Sequence, residues 1–535
     1  MAPPLALVLA VIFIASLVAI TGNDPDVVTS TQGGNAPEIG GATPATGTDG
    51  RGADPGGVAP TGQEAIAGGT QVTAPGVARS GVVCKPGVRQ VPWSRYSPLC
   101  TARFTGDNGR ATAPGVTKDT ITLSYRRANT AQQQAIAAIA GDATPSDDPY
   151  IRDLNTFAAL FNSQFETYGR RVVIKPYQGQ GDFLQEDLGQ GQERAQADAV
   201  RARELGAFAD ITFPSATSLF YSQALHDEKI ISWGFPFGPQ SWYEGNSPYQ
   251  YNWFLDGTKW SKWAANVVCR RMKGLTANFA GDPALRSKKR VFGLISVEFP
   301  TWLQSADQIQ SRLSSQCGVK IARRASYPED IGAFQQNASN MAAQMRDAGV
   351  TTVICFCDPL MPIFITKAAT EQEFRPEWFF QNQFDPITQN NDQSQMRHAI
   401  STGPAVLPEV QSEAYKVHQI VRPGAKPAQI YYQASYLALL HVFSAIQAAG
   451  PDLNPRTFQS GMFSLPDSIP GGDWGDWRFG PGSFTPTATV GIVYWNADKR
   501  SINGKFGTWT ACREGSYPLD DPSAWGPANT QVRCF

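Results

Sequence analysis

Polar residues in this chain gather at one kind of place, just past a short apolar run and just before a helix start. Ile121-Thr-Leu-Ser-Tyr125 runs into Arg126-Arg127, and Ala209-Asp-Ile-Thr-Phe-Pro-Ser215 runs into Ala-Thr217-Ser218-Leu-Phe220. Val291-Phe-Gly-Leu-Ile-Ser-Val297 ends on Glu298-Phe299, and Thr351-Thr-Val-Ile-Cys-Phe-Cys357 ends on Asp358-Pro359. Helix N-termini offer unpaired N–H groups, and ligands of open α/β sheets sit beyond the carboxyl ends of the strands. The chemistry expected there is recognition of a small polar or anionic group.

Signatures of catalysis are missing from the rest of the chain. There is no Gly-x-Ser-x-Gly elbow, no His-Glu-x-x-His and no Gly-x-x-x-x-Gly-Lys-Ser/Thr. His226, His398, His418 and His441 each fall in a helical context and never at metal-ligand spacing. Gly471-Gly-Asp-Trp-Gly-Asp476 lacks the acidic spacing of a calcium loop and reads as a turn. The expectation is a binding protein and not an enzyme, with no cofactor and no metal.

The elements that would position these groups alternate strand and helix, the pattern of parallel sheets flanked by helices. In the first half, strands are predicted at Ile121–Tyr125, Val172–Pro176, Ile211–Phe213 and Ile230–Trp233, with helices at Pro149–Tyr168, Gln190–Leu205 and Ser215–His226. The second half has strands at Arg290–Val297, Val319–Ala325, Thr351–Cys357 and Glu377–Gln381. Its helices are predicted at Thr258–Met272, Thr301–Cys317, Ile331–Ala348 and Met361–Glu373. Further helices follow at Glu409–Val421 and Tyr431–Ala449, the latter apolar on nearly every side, and a last strand at Val490–Tyr494.

The 535 residues hold 45 Lys and Arg against 46 Asp and Glu, so the balance gives no sign of a nucleic-acid partner. Leu5 to Ile20 is an apolar run broken only by Ser16, about 24 Å long as a helix. It reads as an export signal or an uncleaved membrane anchor over residues 1–22; either reading sends the body across a membrane. Residues 23–80 are rich in Gly, Ala, Pro and Thr and read as a disordered tether. Eight cysteines agree with an oxidising compartment. Disulfides are expected for Cys84 with Cys100 and for Cys512 with Cys534, and Cys269 could pair with Cys317. Cys355 and Cys357 share one strand face, where a bridge would be strained, so free thiols and an unusual ring both stay open.

Several phrases resemble one family. Val116-Thr-Lys-Asp-Thr-Ile-Thr-Leu123 is similar to the opening strand of type I periplasmic binding proteins, the leucine/isoleucine/valine-binding branch of ABC transporter substrate-binding proteins. The helix Tyr431–Ala449, then Phe479-Gly-Pro-Gly482 and the final strand, resemble that family's closing segment. The preamble Cys84…Tyr96-Ser-Pro-Leu-Cys100 with Gly106-Asp-Asn-Gly109 resembles actinobacterial members. The resemblance covers about Val116 to Trp509 and implies an α/β fold of two Rossmann-like lobes joined by three crossover strands. It places lobe 1 at residues 116–255 plus 385–485 and lobe 2 at 256–384 plus 486–512. A disulfide-looped preamble (81–115) and a C-terminal tail (513–535) complete the division.

The implied function is extracytoplasmic: a monomeric protein, tethered at the cell surface or secreted, that closes on a small solute and passes it to an ABC-type permease. A surface sensor or receptor domain binding a small molecule or protein, and an exported enzyme on a similar scaffold, are the alternatives. Carried over by position, Ser215, Thr217 and Ser218 match the family's ligand-gripping turn, or else simply cap a helix. Trp233 and Phe235 fall where amino-acid binders have small residues, which favours an aromatic, amide or larger solute unless the rings belong to the core. Tyr125 and Arg126 replace a small Gly-containing loop, and an arginine there could meet a carboxylate or lie on the surface. In the other lobe Glu298, Phe299 and Asp358 are contact candidates, with capping the plainer role for Asp358, and Asn382 and Gln383 follow that lobe's last strand.

Overall fold

The computed structural model describes residues 75–129, 134 and 148–534, apart from 188, 213–216, 235–236, 254, 382–384, 404–410, 429–431, 502, 529, 531 and 533. The N-terminal apolar run, the segment up to residue 74, Ser215, Phe235, Asn382 and Gln383 therefore lie outside the described residues. Among those described, no helix is long and apolar enough to cross a membrane.

A short hairpin, β1 (Gly76–Val77) and β2 (Val83–Cys84), opens the preamble. The first sheet follows with β3 (Thr120–Arg127), β4 (Arg171–Gln178), β5 (Ala209–Asp210), β6 (Ile231–Gly234) and β7 (Gln250–Asn252). Its order is β4-β3-β5-β6-β7, all parallel. β3 alternates, with Ile121, Leu123 and Tyr125 buried on one face and Thr122, Ser124 and Arg126 buried on the other. Helices Asp148–Gln164 and Tyr432–Ala449 pack on this sheet's side through Phe157, Phe161, Tyr436 and Phe443, with the Phe161 and Phe443 rings 5.4 Å apart.

The second sheet holds β8 (Phe292–Val297), β9 (Ile321–Tyr327), β10 (Thr352–Phe356), β11 (Glu377–Phe380), β12 (Ala399–Gly403), β13 (Thr489–Arg500) and β14 (Phe506–Pro518). The order is β14-β13-β12-β11-β10-β8-β9, parallel except for the antiparallel β13 and β14. Because β12 pairs with β11 and β13, the segment through residue 403 belongs to the second lobe, which corrects the expectation that all of 385–485 sits in the first. Helices Glu413–Val421, Tyr432–Ala449 and Pro455–Phe463 do return to lobe 1.

Other boundaries shift for local reasons. The strand expected at Ile211–Phe213 lies earlier, at Ala209–Asp210, with Phe213 outside the described residues; the Asp210 carboxylate accepts the Thr212 N–H at 2.9 Å and turns the chain out of the ladder. The helix from Gly257 is α-helical to Val267 and then makes a π turn, Val268–Met272. The C-terminal tail does not begin at 513: β14 extends to Pro518, and the remainder braces lobe 2, with Asn266 donating to Leu519 O at 3.1 Å and Tyr517 stacked on Trp525.

All eight cysteines are bridged: Cys84–Cys100, Cys269–Cys317, Cys355–Cys357 and Cys512–Cys534. The ring was one of the two outcomes left open for Cys355 and Cys357. Two residues of an extended strand span about 6.6 Å, whereas these Cα atoms lie 5.1 Å apart, because the ladder stops at Phe356 and lets Cys357 fold back.

Candidate functional site

Residues just past the carboxyl ends of strands in one sheet touch residues just past the carboxyl ends in the other. Phe237, in the loop after β6, sits against Trp302 at 4.3 Å between ring centroids and against Phe356, the last residue of β10, at 5.2 Å. Thr301 Oγ1 donates to the Phe237 carbonyl at 3.2 Å. Further along the same edge, Phe220 meets Phe299 edge-to-face at 6.2 Å. These pairs join the strand-end edges of the two sheets through aromatic side chains. Each edge-to-face or offset pair contributes about 0.5–1.5 kcal/mol beyond its buried area.

Arg126 is a core residue. Its guanidinium is 1 % exposed, bonds Asp198 through Nε at 2.8 Å, forms a short ion pair with Glu186, and lies over the Tyr221 ring. Burial works to lower its pKa, but the Glu186 bond and the fields of Glu186, Tyr221 and Asp198 overcome it and raise the pKa above its ordinary value. The same network takes in Ser218, which donates to Glu186 and caps the helix Leu219–Asp227 by accepting the Tyr221 N–H at 2.9 Å. Asp210 accepts from Ser124 at 2.6 Å and from Tyr221 at 2.9 Å, and burial raises its pKa despite those bonds. Thr217 spends its hydroxyl on Thr212 O at 2.6 Å. The expected solute contacts Arg126, Thr217 and Ser218 are thus internally satisfied, and Tyr125 is buried in β3 beside them.

Trp233 is fully buried and stacks on Tyr251 at 5.0 Å, with His441 at 5.2 Å and Phe479 at 6.2 Å, so its ring belongs to the lobe 1 core. Of the two placements left open for Trp233, solute contact or core, the ring takes the core one. Period-two alternation explains it: β6 is buried on both faces, and Trp233 takes the face covered by the helix Tyr432–Ala449.

In lobe 2, Asp358 is a cap. Oδ1 accepts the N–H groups of Leu360 at 2.6 Å and Met361 at 3.2 Å, and Oδ2 accepts a short bond from the Tyr327 hydroxyl. Burial raises its pKa, against the downward pull of the Tyr327 bond and the two amides. Glu298 stays exposed just past the end of β8, its N–H held by Tyr327 O at 2.7 Å, and Phe299 turns its ring toward Phe220. Of the sequence candidates, Phe299 faces Phe220 of the other lobe and Glu298 stays exposed beside it, whereas Arg126, Thr217, Ser218 and Asp358 are bonded to partners within their own lobes.

Sequence reading missed Phe220, Phe237 and Trp302. Signals were present: Phe237 lies two residues past Phe235 in the same strand-to-helix loop, and Trp302 lies in the first turn of the helix Pro300–Cys317.

Two sheets with helices on both faces, entered and left by the chain more than once and meeting at their carboxyl ends, define a two-lobed α/β binding fold. It is the type I periplasmic-binding-protein fold. No protein-family model matches the chain, and no curated protein sequence does. Among solved structures it is similar to a fatty acid ABC transporter substrate-binding protein from Thermomonospora curvata, at 12% identity and TM-score 0.54, over 80% of this chain and 100% of that one. The leucine-, isoleucine-, valine-, threonine-, and alanine-binding protein of Brucella ovis matches at 12% identity and TM-score 0.53, over 78% and 99%. A solute-binding protein of an ABC transporter from R. palustris, in complex with 4-hydroxybenzoate, matches at 12% identity and TM-score 0.52, over 75% and 97%.

Proposed function

We propose that this protein is an extracytoplasmic solute-binding protein. It captures a small solute between its lobes and delivers it to an ABC-type permease. The observation that supports this reading is the meeting of strand-end loops from both sheets in Phe237–Trp302–Phe356 and Phe220–Phe299, since a ligand entering there would touch both lobes and bias their closure. With Arg126 and Asp358 engaged inside their own lobes, a solute with a large apolar or aromatic part suits the described walls better than a free amino acid. The 4-hydroxybenzoate bound by the R. palustris protein and the fatty acid named for the T. curvata protein are of that kind.

The test is a thermal-unfolding screen of the full chain against 4-hydroxybenzoate, a neutral aromatic amide, a medium-chain fatty acid and leucine. A ligand binding only the folded state stabilises it by about 2.7 kcal/mol at a hundredfold excess over Kd. The expected result is a raised midpoint with one apolar class and none with leucine. A shift with leucine alone would overturn the solute class. A flat response throughout would overturn small-solute capture in favour of a protein ligand or an enzymatic role.

A further inference from the structure

Two of the segments that connect the lobes lie side by side and are tied by one buried lysine. The first leaves β7 and enters the helix Gly257–Val267; the second, around residues 484–488, leads into β13. Asn252 N–H reaches Phe484 O at 3.4 Å, and Phe484 itself lies by Tyr243 and Tyr251 in lobe 1. Asp256 caps the helix by accepting the Lys259 N–H at 2.8 Å, and its other oxygen accepts the Thr485 hydroxyl at 2.8 Å. The Lys259 ammonium then crosses between the segments, donating to Ser483 Oγ at 3.0 Å and, in a short bond, to Thr485 O. Trp260, the next residue, packs on Phe356 at 4.7 Å, so this helix start moves with lobe 2.

We propose that parting of the lobes hydrates Lys259 and is thereby linked to uptake of a proton, making the hinge tighten as pH rises. The inference deepens the closure reading above but concerns the solute-free hinge. Burial lowers the Lys259 pKa to about 8, with Asp256 and Asp520 raising it and Lys262 and Arg478 lowering it. Facing groups on the packed elements are Arg312, which donates to Ser261 at 3.1 Å, Asp520, which pairs with Lys262 at 2.6 Å, and Glu244, which accepts from Gln240 at 2.7 Å. A solvated lysine has a pKa near 10.4. Between about 8 and 10 the open hinge then holds one proton more than the closed one, so opening becomes harder with rising pH. Below about 8 both states are charged and the dependence vanishes. A neutral amine can still donate to Thr485 and Ser483, so the closed contact survives deprotonation.

The experiment is amide hydrogen exchange on the solute-free full chain from pH 7 to 10, corrected for intrinsic exchange, read over 255–259 and 484–487. The expected result is a flat opening population up to about pH 8, then a fall of about tenfold per pH unit, the slope of one linked proton. Lys259→Met and Lys259→Arg both abolish the step, while Lys262→Met retains it. A wild-type profile without the step, a step that survives in Lys259→Met or disappears in Lys262→Met, or one spread evenly over both lobes would overturn the proposal. The wild-type titration alone decides it should Lys259→Met fail to fold. Because no solute is present, failure here leaves the solute screen standing, and the reverse.

Discussion

The strand ends of the two lobes solve the same local problem with opposite chemistry. Lobe 1 answers with charge: Arg126 neutralises Glu186 and Asp198, Ser218 donates to Glu186, and Ser124 and Tyr221 donate to the neighbouring Asp210. Lobe 2 uses no cation at the corresponding place. Asp358 is held by one phenol and two backbone amides, one residue after the Cys355–Cys357 ring. The difference teaches that an ionisable residue at the mouth of a cleft can be committed to holding the mouth's shape. What is left to meet a solute is then set by neighbours of less conspicuous chemistry, here phenylalanine and tryptophan.

The sharpest way to break the comparison is Arg126→Met. If the guanidinium is structural, its loss leaves two buried carboxylates without their cation and costs about 3–5 kcal/mol, read by denaturant unfolding. Unchanged stability with lost solute affinity would return Arg126 to the cleft. Asp358→Asn is the milder counterpart, expected to cost about 1–3 kcal/mol at low pH as the cap is weakened. Its penalty should also shrink as pH rises. Burial raises the folded pKa of Asp358, so whatever stability its proton contributes is complete below the unfolded carboxyl range and is lost as pH rises through the folded pKa. A penalty that grows with pH would mean the carboxylate form is the favoured one.

The smallest effect sharpens the lobe 1 side. His441 is buried between Trp233, Trp477 and Phe479, and burial pushes its pKa well below the ordinary value. Its neutral form is stable above the unfolded value near 6.5, and that contribution is lost as pH falls. Relative to a His441→Phe chain, the wild type should lose about 1.4 kcal/mol between pH 7.5 and 5.5. Parallel pH profiles for the two chains would show that the imidazole charges in the folded state.

The alternation of strand and helix was legible because parallel strands buried on both faces tend to be written as apolar runs, as β8 and β10 are, while β3 shows itself by period-two alternation. The β13–β14 hairpin was legible only in its first half. Phe506–Pro518 contains Gly507, Arg513, Glu514, Gly515 and Pro518, which locally read as coil, and pairing with β13 overrides that preference. Site residues fared worse for a related reason. Position after a strand end identifies which residues are near the cleft, but not whether a partner elsewhere in the chain, such as Glu186 for Arg126 or Tyr327 for Asp358, already occupies them.

Two segments flanking the lobes, the preamble and the tail past β14, are each stitched to a different lobe. In the preamble, Tyr96 stacks on Trp477, and Ser94 donates to Glu413 at 2.6 Å, both on lobe 1. Past β14, Arg271 bonds the Tyr517 hydroxyl at 2.9 Å and the Trp525 carbonyl, fastening the tail to lobe 2. The two segments therefore ride like pointers on the two arms of a caliper. Probes placed on these braces, outside the cleft and away from the hinge, would turn any change of angle into a change of distance without touching the solute.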